Sequence, residues 1–208
     1  KEIISLIEDY APLKFQASFD NSGLLCGNPE RELTSILLCI DVTEEVIKEA
    51  IDKGHNLIIS HHPLIFSGLK HITPATYVER CVIDAIRHDI TIYAAHTNMD
   101  VVSNGVSGRM ADKLDLYHRQ ILQPEGDPMT GNGFGIIGEL QHPVESMAFL
   151  QQIKEIFRCD RLRYTTPHIL SIQRVAVCGG AGASFFKQAL AGPVSYTHLR
   201  AHETTLHL

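Results

Sequence analysis

Short apolar runs bounded by polar residues are the main pattern in the first half of the chain. They occupy residues 35–40, 56–60 and 90–95. Runs of this length predict buried β-strands. Between them lie two segments, residues 44–53 and 74–86, in which apolar positions recur at helical spacing. This alternation of strands and helices predicts right-handed crossovers and a largely parallel sheet, and therefore an α/β fold.

The two predicted helices carry residues that are favoured at helix ends. Thr43 is suited to cap the amino end of the first helix, and Gly54 is suited to end it. Thr73 and Pro74 are expected to open the second helix, because proline is favoured at the first helical position. These residues mark where the predicted helices begin and end, and therefore where the loops between the helices and the strands lie.

The second half of the chain is predicted to form further α/β structure. Residues 123–135 are rich in Gly, Pro and polar side chains and indicate a loop or a lobe boundary. The predicted elements are a helix over 105–116, a strand over 136–140, a helix over 144–157 begun by Pro143, and a strand over 173–178. We therefore predict an N-terminal α/β lobe over residues 1–122, a partial second α/β lobe over 123–192, and an atypical tail over 193–208.

Composition narrows the class of protein. The 208 residues carry a net charge of −6 without a cluster of Lys or Arg, which argues against nucleic-acid binding. No apolar stretch approaches the roughly 20 residues of a membrane span, and the amphipathic start of the chain does not resemble a signal peptide. The five cysteines form no C-x-x-C pair, so we expect a reduced, cytoplasmic protein.

Two of the predicted strands run directly into histidines. His61 and His62 follow one strand, and His96 follows the next, with Asp100 four residues later. Because parallel strands present their carboxyl ends at the same sheet edge, these side chains are expected to converge. Imidazoles with a carboxylate suit a transition metal. Any one of these histidines alone is better explained as a hydrogen-bonded structural residue, so the joint pattern carries the metal hypothesis.

Details of these clusters refine the hypothesis. The neighbouring His61 and His62 suit a dinuclear centre, since each can bind a different ion, and Pro63 stiffens the exit from the strand. Asp41 ends a strand at the same edge, where it can orient a ligand histidine or cap the next helix. The remaining isolated histidines are expected on the surface or in loops: His55, His71, His88, His118, His142 and His168.

Two other motifs carry less weight. Ser60 next to His61 has no identifiable acidic partner and does not indicate a catalytic triad. The glycine-rich segment 179–182 follows a predicted strand but matches neither G-x-G-x-x-G nor a Walker motif. We expect it to allow a close approach of the backbone to a cavity rather than to bind a phosphate.

The motifs together resemble those of the Nif-three-like dinuclear metal centre family, whose bacterial members are often named GTP cyclohydrolase 1 type 2 homologues. The segments that carry the resemblance are Asp20–Leu24, Asp41–Thr43, Ser60–Leu64, His96–Asp100 and Cys178–Phe185. The resemblance extends from residue 1 to about residue 190. It implies a two-lobed α/β fold, with largely parallel or mixed sheets flanked by helices, and a toroidal homohexamer.

The resemblance also implies a function. Two divalent ions would be held by His61, His62, His96 and Asp100, and the nitrogen and oxygen donors are compatible with zinc, iron, manganese, nickel or cobalt. The family name implies a metal-dependent hydrolase that opens the guanine ring of GTP, so a nucleotide or related heterocycle is the implied substrate. The alternative is a metal-binding oligomeric scaffold or regulator without turnover.

The end of the chain departs from the family pattern. Relatives supply a late histidine and glutamate to the metal centre, whereas residues 193–208 do not match that continuation. His198, His202 and Glu203 have helical spacing, but the surrounding pattern is absent and we do not assign them as ligands. The sequence therefore leads us to expect a truncated or frame-shifted end, or an added non-native tail, and with it an incomplete set of metal ligands.

Overall fold

A computed structural model describes residues 1–126, 131–164, 170–180 and 182–191. The chain divides into two compact units, Lys1–Met99 and the residues from Asp100 onward. The lobe boundary predicted after residue 122 stays a prediction, and the predicted tail over 193–208 lies outside the described residues. Each unit is an assembly of helices and a sheet, which confirms the predicted α/β class.

The first unit contains a four-stranded mixed sheet in the order β1-β4-β3-β2. Its strands are β1 (Gly23–Cys26), β2 (Ile36–Cys39), β3 (Leu57–Ser60) and β4 (Thr91–Ala94). Strands β2, β3 and β4 run parallel, and β1 is antiparallel to β4. The helices are α1 (Glu2–Tyr10), α2 (Glu44–Lys53), α3 (Tyr77–Arg87) and α4 (Thr97–Val101), of which α4 crosses the division between the units.

Both faces of this sheet are covered by apolar side chains. Alternate strand residues point to opposite faces, so neighbours in sequence enter different clusters. Ile58 and Ile92 pack with residues of α2 and α3, whereas Leu57 and Tyr93 pack with residues of α1. This double burial explains why β3 and β4 read as continuous apolar runs rather than as alternating ones, whereas Leu38 of the outer strand β2 is 72% exposed.

The ends of α2 are as predicted, whereas the start of α3 is not. The Thr43 hydroxyl accepts a hydrogen bond from the Val46 amide at 3.3 Å, and Gly54 ends α2 in the left-handed conformation with φ 72°. The predicted opening of α3 at Thr73 and Pro74 is wrong. The helix begins at Tyr77, because Thr76 accepts from the backbone of the third helical residue at 3.2 Å and caps it.

The second unit contains a three-stranded antiparallel sheet in the order β5-β6-β7. Its elements are α5 (Val106–Lys113), β5 (Tyr117–Pro124), β6 (Gly133–Glu145), α6 (Ser146–Phe157), β7 (Ser171–Val177), a 3₁₀ turn (Gly182–Phe185) and α7 (Phe186–Ala191). One face of the sheet packs against α5 and α6 through a cluster that includes Met110, Phe149 and Val175. Among the described residues, no helix is both long enough and apolar enough to cross a membrane.

Sequence reasoning misplaced several boundaries in this unit. The predicted loop over 123–135 contains the end of β5 and the start of β6, and β5 itself was not predicted. The predicted helix start at Pro143 is wrong, because Pro143 lies within β6 beside a shift in strand register. A shifted register tolerates a proline, which cannot donate to the ladder. Helix α6 begins at Ser146, where the Glu145 carboxylate accepts from the Ala148 amide at 2.8 Å.

Candidate metal centre

Three histidines meet at the carboxyl ends of β3 and β4. The ring centroids of His61 and His62 are 5.0 Å apart. The ring centroid of His96 lies 5.3 Å from that of His61 and 5.4 Å from that of His62. One nitrogen from each ring can be chosen so that all three lie within 4.8 Å of one another. The predicted convergence of the two histidine clusters is therefore confirmed within the first unit.

The parallel register brings these residues together. Cys39, Ser60 and Ala94 are aligned at the carboxyl ends of the three parallel strands. Past the end of β3 the backbone continues beside β2, since the His61 amide donates to the Cys39 carbonyl at 3.1 Å. The Ala95 amide likewise donates to the Ser60 carbonyl at 2.9 Å. The histidines thus follow directly from the ends of ordered strands.

Each of the three rings uses its Nδ1 atom in a hydrogen bond to an oxygen. A main-chain carbonyl and a carboxylate only accept, so Nδ1 carries the proton and Nε2 is the nitrogen that each neutral ring would offer to a metal. The oxygens are the Ala95 carbonyl for His61 at 2.9 Å, Asp41 Oδ1 for His62 at 2.8 Å and Asp20 Oδ1 for His96 at 2.8 Å. Such bonds fix the orientation of metal-binding imidazoles.

Asp20 is the most highly connected of these partners. Besides His96, its carboxylate accepts from the Asn21 amide at 2.7 Å, the Ser22 hydroxyl at 2.7 Å, the Thr97 amide at 3.1 Å and the Thr97 hydroxyl. Its side chain is 0% exposed. Burial alone would raise the pKa of Asp20, but hydrogen bonds from His96, Thr97 and Ser22 outweigh it and hold that pKa well below its usual value. Asp20 is therefore a buried, ionised carboxylate beside the site.

The start of α4 is hydrogen-bonded to the segment that follows α1. The Ala17 amide donates to the Thr97 hydroxyl at 2.9 Å, and the buried Asn98 side chain donates to the Ala11 carbonyl at 2.7 Å. His96 precedes these two anchors directly. Sequence reasoning missed the orienting role of Asp20 and these anchors, although Asp20 stands in a segment that carries the family resemblance.

The structure distinguishes between the two roles considered for Asp41, which were orienting a histidine and capping α2. The Asp41 carboxylate accepts from His62, whereas Thr43 caps α2. Asp41 is more exposed than Asp20, since 37% of its side chain is accessible. It therefore orients a histidine at the rim of the site.

Asp100 lies in α4, one helical turn after His96, and is buried. It belongs to the second unit, and its assignment as a metal ligand stays a prediction. Within that unit, a Cβ atom added to Gly179 would lie 2.7 Å from Val106 Cγ1 and 3.7 Å from Asp100 Oδ1. The glycine-rich segment thus brings its backbone close to Val106 and Asp100 of the same unit, which a side chain at residue 179 would prevent.

The isolated histidines lie largely where they were expected. The exposed ones are His71, His88, His118 and His142. His55 is half-buried and bonds through Nδ1 to the Ser35 hydroxyl at 2.7 Å. His168, His198, His202 and Glu203 lie outside the described residues. Ser60 donates to the His62 carbonyl at 2.8 Å rather than to a histidine ring, in agreement with the absence of a predicted triad.

A cavity of about 570 Å³ lies beside the amino ends of β2, β3 and β4, at the opposite ends of these strands from the histidines. Thr34, Asn56 and Arg31 line it, and Arg31 forms an ion pair with Asp89 at 2.7 Å. The three clustered histidines are not part of its lining. The three clustered histidines and this cavity are therefore separate features of the first unit.

Comparisons with known proteins agree with this fold. A family described as Duf34/NIF3 (NGG1p interacting factor 3) matches residues 1–195. A Clostridium perfringens protein named GTP cyclohydrolase 1 type 2 homolog is 37% identical over 188 residues, covering 90% of this chain and 71% of the relative. NIF3-like protein 1 of Drosophila melanogaster is 35% identical over 206 residues, covering 97% and 70% respectively.

A solved structure shows the same fold. The crystal structure of a hypothetical protein of Staphylococcus aureus is similar with a TM-score of 0.84 and 28% identity, covering 93% of this chain and 75% of that one. Sequence and fold thus lead to the same assignment, and the chain belongs to the Duf34/NIF3 family.

Proposed function

We propose that the chain binds two divalent metal ions through His61, His62, His96 and Asp100, and that it is a metal-dependent hydrolase acting on a nucleotide or a related heterocycle. The observation that carries the proposal is the cluster of three imidazoles whose ligand atoms lie within 4.8 Å of one another. A carboxylate from Asp100 would complete a mixed nitrogen and oxygen donor set.

The donor set fits a transition metal. Each imidazole has its Nδ1 atom held by an oxygen, which is the arrangement that presents Nε2 to a metal. The Asp20 and Asp41 carboxylates add negative charge beside His96 and His62, and this charge favours bound cations. Zinc, iron, manganese, nickel and cobalt all accept such donors.

The reaction class follows from this chemistry. Bound divalent ions supply Lewis acidity and lower the pKa of water to near neutral, which provides a nucleophile for hydrolysis. The residues of the chain hold the imidazoles in place through partly buried hydrogen bonds, and no protein nucleophile is required. The names of relatives as GTP cyclohydrolase 1 type 2 homologues support a nucleotide as the substrate class.

A non-catalytic metal-binding scaffold or regulator is the second candidate. The description of the family as an interacting factor favours a binding role. A homohexamer would offer a large surface for such a role, and we include that assembly in the proposal. A cytoplasmic location without membrane or nucleic-acid partners remains the prediction made from the sequence.

Elemental analysis of the purified protein and its variants tests the metal assignment. We expect His61→Ala, His96→Ala and Asp100→Ala each to reduce the metal content, while His142→Ala serves as a control because His142 is exposed and outside the cluster. Unchanged metal content in His61→Ala and His96→Ala would refute the site. Formate release from GTP by the metal-loaded protein would then favour the hydrolase, and its absence the scaffold.

A further inference from the structure

Two phenylalanine rings are exposed together in the first unit. Phe19 is 66% exposed and Phe66 is 52% exposed. Their ring centroids are 6.5 Å apart, and the ring planes are tilted by 41°. Large aromatic side chains usually contribute to a core, and a pair left in water indicates a surface that meets a ligand or partner.

The two rings lie on the loops that hold the histidine cluster. Phe19 directly precedes Asp20, which accepts a hydrogen bond from His96. Phe66 follows His62 by four residues. The two loops are joined, since the Asn21 side chain donates to the Ile65 carbonyl at 2.6 Å. The aromatic pair therefore lies on two hydrogen-bonded loops, each of which carries or adjoins a residue of the histidine site.

The chemistry of the pair favours a flat ring as its ligand. A phenylalanine side chain has no donor or acceptor, so it recognises the face of a ring rather than its polar edge. The tilt and separation of the two rings do not form a stacked pair, which keeps ring surface available for a third ring. Base–aromatic stacking is favourable for every nucleobase because each base has a π face.

We propose that Phe19 and Phe66 form a stacking surface for the planar ring of a heterocyclic substrate that reaches the histidine site. The inference rests on the proposed function and assigns two substrate-binding residues to it. In this arrangement, the aromatic pair orients the heterocycle while the histidine cluster holds the metal. The ligand class is a planar nitrogen heterocycle such as a purine base.

Titration of the purified protein with GTP and with inorganic triphosphate, with and without added metal, tests this assignment. We expect Phe19→Leu and Phe66→Leu each to weaken GTP binding about tenfold, equivalent to about 1.4 kcal/mol. Triphosphate binding and metal content should stay at the wild-type level, because leucine keeps an apolar side chain but lacks the aromatic face. Tyr164→Leu is the control, since it removes an aromatic ring that is 51% exposed in the other unit.

Aromatic replacements distinguish stacking from general packing. Phe19→Tyr and Phe66→Trp should retain GTP affinity. The chain contains no tryptophan, so Phe66→Trp also provides a single fluorescent reporter whose emission should change on addition of GTP and not of triphosphate. This readout does not depend on catalysis.

The outcomes separate this inference from the proposed function. Wild-type GTP affinity in both leucine variants, or no GTP binding by the metal-loaded protein, would overturn the stacking role while leaving the metal site intact. A change in native mass of the leucine variants with unchanged GTP affinity would also overturn it, and would assign the aromatic pair to contact with a second copy of the chain. Absence of metal in the wild-type protein would instead refute the proposed function.

Discussion

Replacement of Asp20 by asparagine tests how the site is held in place. The Asp20 carboxylate accepts from His96 and the Asn21 amide on one oxygen, and from Ser22 and Thr97 on the other. Asparagine keeps one oxygen and replaces the other with a donor. The orientation that preserves the bond from His96 places the new NH₂ group against the Thr97 amide.

The structure gives the size of the expected effect. The hydroxyls of Ser22 and Thr97 can rotate to accept from an NH₂ group, but the Thr97 amide can only donate and would lose its acceptor. A buried donor without an acceptor costs about 1–3 kcal/mol, so we expect the free energy of unfolding of Asp20→Asn to fall by that amount. Loss of a carboxylate that orients a metal-binding histidine typically lowers metal affinity about 10–100-fold, and we expect a change in that range.

Competition with a metallochromic chelator measures the metal affinity, and urea unfolding of the metal-free protein measures stability. Asp41→Asn is the matched control, because Asp41 is partly exposed and accepts one described hydrogen bond, from His62, which the asparagine carbonyl can also accept. It should weaken metal binding with little loss of stability. Wild-type metal affinity and stability in Asp20→Asn would refute the orienting role of Asp20.

Three further predictions concern acid stability, helix α2 and the thiols. The folded-state pKa of Asp20 lies below its usual value, so the stability that ionised Asp20 contributes is fully present above about pH 4 and is lost as the pH falls further. The difference in free energy of unfolding between wild type and Asp20→Asn, measured in urea, should therefore shrink below that pH. A constant difference at acid pH would contradict this. Gly54→Ala should lower the free energy of unfolding by about 1–2 kcal/mol, because Gly54 has φ 72° and a residue with a Cβ atom is strained in that conformation. No neighbouring atom lies within 4 Å of the new methyl group, so no clash adds to this backbone strain. Unchanged stability would contradict the prediction. Burial, with nearby carboxylates, raises the pKa of the Cys81 and Cys178 thiols to about 11. Both thiols should therefore be alkylated slowly at pH 8 in the folded protein and rapidly in urea. Rapid alkylation without urea would refute their burial.

The first unit was predictable because its central strands β3 and β4 are buried on both faces. Such strands read as continuous apolar runs, and parallel pairing with in-register ends places the residues that follow them at one edge. That geometry is why His61, His62 and His96 could be brought together from sequence alone. Thr43 and Gly54 were recognisable because capping depends on local residue type.

The parts that failed depend on pairing between distant segments. Pro143 looks like a helix start, yet a register shift in β6 accommodates it, and no local signal reveals that shift. Asp20 is joined to His96 across 76 residues, so its orienting role appears only when α4 and the loop before β1 are placed together. The aromatic pair is hidden in the same way, because Phe19 and Phe66 meet only through folded loops.

Anomalous diffraction from crystals of the metal-loaded protein tests the central claim most directly. Data collected above and below the absorption edge of the metal locate each ion independently of its expected ligands. We predict anomalous density within bonding distance of Nε2 of His61, His62 and His96, with Asp100 as a further ligand. Metal density elsewhere on the chain, with none beside these three histidines, would contradict the account.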